Sequence, residues 1–155
     1  MIRFEVPMIP VAKGRAKFAR MGNFVRAYTP TKTREAEHNF MTFASQFAPK
    51  SPIDGPVTVR LSFVFAAPRA PKWKRAAALD GAFMHTTRPD VDNLAKLAMD
   101  ALTSSGQWWT DDARVVSLEA RKRYGERPMT VVEIDASTID EGAIRKLYDK
   151  GVRPA

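Results

Sequence analysis

Apolar and polar residues alternate along five short segments of the chain, a pattern that is typical of strands with one buried face. These segments predict strands at residues 2–7, 24–28, 57–65, 114–124 and 129–136. The alternation is most regular at 57–65, VTVRLSFVF. Only residues 125–128 separate the last two strands, so we expect these two strands to pair as a hairpin. The lysine- and arginine-rich stretch at 13–22 is expected to be a loop.

Elsewhere the apolar residues recur every three or four positions, which is typical of amphipathic helices. This period predicts helices at residues 31–47, 91–104 and 140–150, and the sequence also allows a short helix at 74–79. The first helix would be capped by Thr29 or Thr31, and the last by Thr138 or Asp140. Ser105-Gly106 would close the second helix. The buried positions expected in the first helix are Ala36, Phe40, Phe43 and Phe47.

The predicted order is strand, strand, helix, strand, helix, strand, strand, helix. Adjacent strands interspersed with helices favour an α+β fold, with a mixed sheet and about three helices. The chain shows no repeat, low-complexity tract or flexible linker. We therefore expect a single domain over residues 1–155, with a core at about 3–136 and a helical extension at 138–155.

The composition is that of a globular protein, since 45% of the 155 residues are hydrophobic and 27% are charged. The chain has no cysteine, which excludes disulfides, thiolate zinc sites and cysteine nucleophiles. No apolar run approaches the roughly 20 residues of a membrane helix, and the first residues lack the layout of a secretory signal. We expect a cytoplasmic protein without a membrane partner.

The net charge of +8 is distributed unevenly. Residues 1–50 carry nine basic and three acidic residues, residues 51–85 carry five and two, and residues 86–155 carry eleven and twelve. A basic N-terminal half favours a polyanionic partner such as nucleic acid. The alternative is a solvated basic face without a partner.

Acidic residues cluster where the second long helix begins and again after it ends. Asp90 and Asp92 lie at the helix entrance, Lys96 shares a face with Asp92, and Asp111-Asp112 follow the helix. Carboxylate oxygens are the ligands that Mg²⁺ prefers. If the next strand ran antiparallel to the helix, it could pass beside the N-terminal end of the helix and bring Asp112 toward the other two acids.

Ordinary structural roles compete with metal binding at each of these positions. An aspartate at a helix entrance is often a cap, and an acidic pair before a strand is often a polar turn. Asp100, one turn after Lys96, is expected to form an ion pair. Against these roles, clustered carboxylates repel one another unless a cation neutralises them. Both interpretations stay open from the residues alone. Neither His38 nor His85 has a partner that would make it catalytic.

The same segment resembles the RusA family of Holliday junction resolvases. The resemblance covers residues 3–136, and its most specific part is PDVDNLAKLAMDALTSSG at 89–106 followed by DD at 111–112. Further similar stretches are PVAKGRAK at 10–17 and YTP at 28–30 with Arg34. Two departures are a loop at 107–110 that is one residue longer and a basic insertion at 72–75.

The resemblance implies an endonuclease of bacterial or phage origin that acts in DNA recombination and repair. It implies that Asp90, Asp92 and Asp112 bind Mg²⁺, which Mn²⁺ can replace, with Asp111 as an alternative ligand. These three acids and the catalytic lysine Lys96 would form the active site, without a small-molecule cofactor. A homodimer would introduce paired nicks into branched DNA, namely a four-way junction.

The basic residues are expected to contact DNA phosphates. The first group is Lys13, Arg15, Lys17, Arg20, Arg26, Lys32 and Arg34, and a second patch is Lys72, Lys74 and Arg75. Trp108 and Trp109 are each either core residues or, for one of them, a platform for an unpaired base. Two alternative functions are a non-catalytic DNA-binding accessory protein and a phosphatase or nucleotidyl enzyme.

Overall fold

A computed structural model of the chain describes residues 1–151, which form an α+β fold as the sequence predicts. The strands are β1 (Ile2–Val6), β2 (Lys17–Met21), β3 (Phe24–Tyr28), β4 (Val57–Ala66), β5 (Val115–Gly125) and β6 (Met129–Ala136). The α-helices are α1 (Thr31–Ala44), α2 (Lys72–Leu79), α3 (Val91–Ser104) and α4 (Glu141–Asp149). The described residues thus contain four α-helices where about three were expected, because the short segment at 72–79 is helical.

Four strands form a mixed sheet in the order β1-β6-β4-β5. The central strand β4 pairs antiparallel with β6 and parallel with β5. The expected hairpin between the strands at 114–124 and 129–136 is therefore wrong, since β4 lies between them. The physical reason is burial: Val57, Val59, Leu61 and Phe63 of β4 are almost fully buried, whereas β5 is largely exposed. β4 therefore takes an inner position in the sheet, as β6 does, where both of its edges are hydrogen-bonded.

The core forms between the sheet and one face of α3. Six α3 residues are buried: Leu94, Ala95, Leu97, Ala98, Ala101 and Leu102. Helix α1 adds Phe40 and Ala44 to the same core. Gly106 ends α3 with a φ of 63°, a conformation that glycine adopts without steric cost. The bounds and the end of α3 agree with the sequence prediction.

Two strands lie outside this sheet and pair only with each other. β2 and β3 form an antiparallel hairpin joined at Gly22-Asn23, and Gly22 has a φ of 63°. The expectation of a loop over 13–22 is wrong for its second half, which is β2. A hairpin without a buried face is not required to alternate between apolar and polar residues, so its first strand gives no strong sequence signal.

The ends of α1 also differ from expectation. The N-cap is Pro30, without a side-chain cap, and the Pro30 carbonyl accepts hydrogen bonds from the backbone N–H groups of Thr33 and Arg34. A 3₁₀ turn, Ser45–Phe47, follows the helix and leaves the Phe47 side chain 40% exposed. Phe47 still stacks on Phe4 with ring centroids 5.0 Å apart.

The final helix α4 is capped by Asp140, whose side chain accepts a hydrogen bond from the N–H of Ala143, as predicted. Its residues are exposed. The predicted extension to residue 155 includes 152–155, which lie outside the described residues. Helix α4 therefore adds little to the core formed by the sheet, α1 and α3.

Leu94→Ala should lower the free energy of unfolding by about 2–5 kcal/mol, because it leaves a cavity between α3 and the sheet. Leu147→Ala is the matched control: Leu147 is also helical but 46% exposed, so we expect a change of about 0.5 kcal/mol or less. Urea denaturation of both variants measures the difference. Similar losses in the two variants would contradict the placement of the core.

Candidate active site

Asp90 and Asp92 lie at the N-terminal end of α3, as expected. Asp90 is the N-cap residue, with extended backbone angles of −72° and 143°, but its side chain makes no cap hydrogen bond. Both side chains are exposed, and neither takes part in an ion pair or a hydrogen bond among residues 1–151. The alternative role of Asp90 as a side-chain cap is therefore wrong. Two carboxylates stay unengaged at the positive end of a helix dipole, which attracts negative charge.

Lys96 lies one turn after Asp92 on the same helix and is exposed. Within the described part of the chain its ammonium group forms no ion pair. Asp100 forms the expected ion pair, but its partner is Lys13, which also lies 3.7 Å from Glu37. The free ammonium of Lys96 is thus available to a ligand next to Asp92.

Asp112 lies at the opposite end of α3. The Thr103 hydroxyl donates a hydrogen bond to Asp112, and the Trp109 indole N–H donates to the Thr103 oxygen at 3.0 Å. Eleven residues of helix separate Asp92 from Thr103, a rise of about 16 Å. The expectation that Asp112 approaches Asp90 and Asp92 within one chain is therefore wrong. In residues 1–151, no group of three or more histidine or acidic side chains could hold a metal ion.

The direction of β5 explains this separation. The strand does pass the N-terminal end of α3, but it begins at the C-terminal end of the helix. Its residue at the N-terminal end is Lys122, whose ammonium group donates to the carbonyls of Thr87 at 2.8 Å and Pro89 at 3.0 Å. Lys122 is seven residues beyond Val115, which is about 23 Å along a strand. The sequence reasoning missed Lys122, which holds the loop that leads to Asp90.

The neighbouring acid Asp111 is engaged differently. Its side chain accepts a hydrogen bond from the N–H of Ala113 at 2.7 Å and caps the 3₁₀ turn Asp112–Arg114. This is the local turn role that was the alternative to metal binding. Thr103 and Trp109 orient one oxygen of Asp112 and leave the rest of that carboxylate exposed. Asp112 is therefore better suited than Asp111 to bind an external cation.

Most of the first group of cations is free to meet phosphates. Lys13 is the exception, because it pairs with Asp100 and Glu37 within the protein, and its contact with DNA stays a prediction. Partial burial works to lower the pKa of Lys13, but the hydrogen bond and charge of Asp100 outweigh it and raise the pKa above 10.5. The other six cations of this group are exposed and form no ion pair in residues 1–151, namely Arg15, Lys17, Arg20, Arg26, Lys32 and Arg34.

The second basic patch is partly engaged by the protein itself. Arg75 donates to Glu126 at 2.9 Å, and the Lys74 ammonium lies 4.7 Å from the centroid of the Phe83 ring. Lys72 is exposed beside Trp73, which is 67% exposed. The contact of Arg75 with DNA stays a prediction, since its partner Glu126 is itself an exposed side chain.

Trp108 and Trp109 are core residues, with exposed fractions of 0% and 1%. Trp108 stacks on Phe4 with ring centroids 5.3 Å apart. The suggestion that one of these rings stacks on an unpaired base is wrong. A sequence pattern of two adjacent tryptophans beside acids does not reveal that both rings turn inward.

His85 lies near the Asp90 loop and stacks on Phe65, with ring centroids 4.2 Å apart. Its buried Nδ1 atom has no hydrogen-bond partner in the described structure. Burial lowers the pKa of His85 below 6.5, and the nearby positive charge of Lys122 lowers it further. The imidazole is therefore neutral at neutral pH and fills an aromatic cluster with Tyr124.

Comparisons with known proteins place the chain in a family. The family model for endodeoxyribonuclease RusA matches residues 7–135. An uncharacterized protein of Bacillus subtilis (strain 168), YqaN, is 34% identical over 136 residues, which cover 86% of this chain and 94% of YqaN. A crossover junction endodeoxyribonuclease of Lactococcus phage r1t is 30% identical over 79 residues, which cover 51% and 53% of the two chains. The chain belongs to the RusA endodeoxyribonuclease family.

Among its described helices, none has the length and apolar character needed to cross a membrane.

The pKa of His85 predicts a pH dependence of stability. Because the folded state holds the proton less tightly than the unfolded state, stability is full above about pH 6.5 and is lost as the pH falls toward the lowered pKa. We expect the Tm of the wild type to fall more between about pH 8 and about pH 5 than that of His85→Phe, which keeps an aromatic ring there.

Scanning calorimetry at both pH values measures this difference. His38→Gln is the control, because His38 is exposed on α1. Its Tm should follow the wild type across the range. An unchanged pH dependence in His85→Phe would show that His85 does not titrate as its environment suggests.

Proposed function

We propose that this protein is a Mg²⁺-dependent endonuclease that resolves four-way DNA junctions as a homodimer, through paired hydrolysis of phosphodiester bonds. The observation that carries the proposal is the unengaged pair Asp90 and Asp92 beside the free ammonium of Lys96. Membership of the RusA family and the name of the phage relative, a crossover junction endodeoxyribonuclease, support the reaction. The cytoplasm of a bacterium is the compartment in which such junctions would be met.

The donor set fits Mg²⁺, with Mn²⁺ as a substitute. Mg²⁺ takes oxygen ligands, usually one or two carboxylates together with waters and substrate phosphate. Asp90 and Asp92 supply exposed carboxylates that no protein group occupies in the described structure. Asp112 supplies a third carboxylate. The hydrogen bond from Thr103 orients this carboxylate, as hydrogen bonds from neighbouring residues orient metal ligands. When bound, Mg²⁺ would stabilise negative charge on the scissile phosphate and the leaving oxygen.

A two-fold dimer would bring the third carboxylate into place. Each chain carries Asp90 and Asp92 at one end of α3 and Asp112 at the other, about 16 Å along the helix. A two-fold axis beside the middle of α3 would place the C-terminal end of α3 in one protomer next to the N-terminal end of α3 in its partner. Asp112 of one protomer would then face Asp90 and Asp92 of the other. Such a dimer holds two equivalent sites, as paired nicks require.

Strand β5 offers the surface for this dimer. It is the edge strand of the sheet, eleven residues long, and in the described structure it is paired on one side alone. Leu118 is 47% exposed and Val116 is 67% exposed on it. A long, exposed edge strand favours pairing with another strand. Antiparallel pairing of two β5 strands would set the first residues of one beside the Lys122 end of the other, next to Asp90.

The remaining residues have distinct roles in the proposed reaction. Lys96 places a fixed positive charge next to Asp92, where it would stabilise the charge that develops on the phosphate. Lys122 holds the backbone at Thr87 and Pro89 and so fixes the position of Asp90. The free cations of the N-terminal half hold the DNA backbone without reading its sequence.

Asp92→Asn should reduce the rate of junction nicking by more than about 100-fold, because loss of a ligand costs more than loss of an outer-shell partner. Binding to the junction should be retained or strengthened, since a negative charge near phosphate is removed. Gel assays on a synthetic four-way junction, with and without MgCl₂, measure nicking, and gel shifts without Mg²⁺ measure binding.

Asp149→Asn, the same change on the exposed helix α4, is the matched control and should nick at the wild-type rate. If Asp92→Asn nicked the junction at the wild-type rate, Asp92 would not be part of the active site. Nicking by the wild type without any divalent cation would contradict the metal requirement.

A mixing experiment tests the shared site. Asp90→Asn and Asp112→Asn should each be inactive as homodimers. In a mixed dimer one of the two shared sites carries both changes and the other carries neither. After denaturation and refolding of an equal mixture, half of the dimers are mixed, so about a quarter of the wild-type sites should be intact and should cut one strand.

If each site were built within one chain, mixing the two variants would restore no nicking activity, because every site would then carry one changed acid.

The separation of Asp112 from the other acids favours one second candidate, a non-catalytic DNA-binding accessory protein. That candidate predicts salt-dependent binding and no nicking by the wild type with Mg²⁺. The mixing experiment and the wild-type assay therefore separate the shared site, the single-chain site and the accessory role.

A further inference from the structure

The β2–β3 hairpin stands apart from the sheet and exposes almost all of its side chains. A two-stranded hairpin is only marginally stable in water by itself. This one also presents large apolar side chains to solvent, with exposed fractions of 71% for Phe18, 61% for Met21, 80% for Phe24, 69% for Val25 and 47% for Tyr28. Such a concentration of exposed apolar side chains marks an interaction site.

The charge of the hairpin indicates the partner. Residues 13–34 contain seven lysines and arginines and no acidic residue. Four of these cations, Arg15, Lys17, Arg20 and Arg26, lie on or beside the hairpin and have no ion-pair partner in residues 1–151. Two such hairpins would repel each other, whereas a nucleic acid backbone would attract both. The surface therefore fits DNA, through phosphates for the cations and bases for the apolar side chains.

The strand register separates the two faces of the hairpin. Directly paired residues share a face, and successive residues alternate between faces. One face carries the cross-strand pairs Lys17–Tyr28, Ala19–Arg26 and Met21–Phe24, and the other carries Phe18–Ala27 and Arg20–Val25. The first face thus places two cations near its base and middle and an apolar pair at its tip. Four residues of strand separate Lys17 from Met21, about 13 Å.

We propose that the first face recognises the branch point of DNA, with Phe24 packed against a base that is exposed where the duplex arms separate. Lys17 and Arg26 would hold the adjacent phosphates, and Met21 would fill the space beside the ring. The proposal rests on the proposed function, because it names the part of the chain that distinguishes a junction from linear duplex. Apolar side chains that enter an opened base step are a known means of binding distorted DNA.

The preference of the hairpin for a branch point over linear duplex would arise from base stacking. In linear duplex each base is covered by its neighbours, so entry of Phe24 costs the stacking energy of a step. At a branch point some of that stacking is already lost, and contact with an aromatic ring restores part of it. The cations act equally on both forms of DNA, since both carry the same phosphates.

Phe24→Ala tests this proposal. Fluorescence anisotropy without divalent cation, so that no cleavage occurs, measures the Kd for a labelled four-way junction and for a linear duplex of the same sequence. We expect the junction Kd to rise about tenfold, as loss of one base–aromatic contact predicts, and the duplex Kd to change less than about twofold. The emission of 2-aminopurine at the branch point should change on binding of the wild type and not of Phe24→Ala.

Two variants serve as controls. Phe18→Ala removes a similar ring from the opposite face and should keep the wild-type preference for the junction. Arg26→Ala should weaken binding to both DNAs alike and reduce the slope of log Kd against log salt by about one. Sedimentation of Phe24→Ala should match the wild type, and dissociation of the dimer would show that the ring packs on a second copy instead.

The outcomes separate this inference from the proposed function. If the wild type prefers the junction and Phe24→Ala keeps the same ratio of Kd values, the hairpin proposal is overturned and the endonuclease proposal stands. If the wild type binds junction and duplex equally and does not nick the junction, the proposed function fails first. Equal effects of Phe18→Ala and Phe24→Ala on the ratio would contradict the assignment of the first face.

Discussion

Burial of one face of α3 against β4 is the contact on which the arrangement of the site depends. Leu94 and Leu102, eight residues apart, are both fully buried, so the helix is anchored near both of its ends. Asp90 and Asp92 then project from one end, and Thr103 holds Asp112 at the other. Because a packed helix of this length cannot bend its ends together, the acids of one chain stay about 16 Å apart.

Because α3 is rigid, the proposed site requires a dimer. A site that needs carboxylates from both ends of α3 is complete only when two chains meet, so hydrolysis would be confined to the assembled dimer. The exposed edge at β5 and the crossing of β5 from one end of α3 to the other belong to the same arrangement. Two equivalent sites related by a two-fold axis suit a substrate that has an approximate two-fold axis of its own.

In the proposed function, DNA binding and hydrolysis use separate parts of the chain. The free cations of the N-terminal half lie on or beside the β2–β3 hairpin and at the start of α1, whereas the acids lie at the ends of α3. Lys13 connects the two parts: its backbone N–H donates to the Asn93 carbonyl at 2.9 Å, and its ammonium pairs with Asp100. The segment that leads to the hairpin is thereby fixed to the helix that carries the acids.

Local sequence determined the elements whose pattern is strong, namely β4, α3, the two strands after α3 and the acids at the start of α3, since periodic burial and helix ends are local properties. It did not determine that β4 separates β5 from β6, because strand partners are chosen by burial in the whole sheet. The inward turn of Trp108 and Trp109, the pairing of Lys13 and the separation of Asp112 from Asp90 were decided only by tertiary structure. In each case the partner is far along the chain, and no spacing in the sequence encodes the direction in which β5 passes α3.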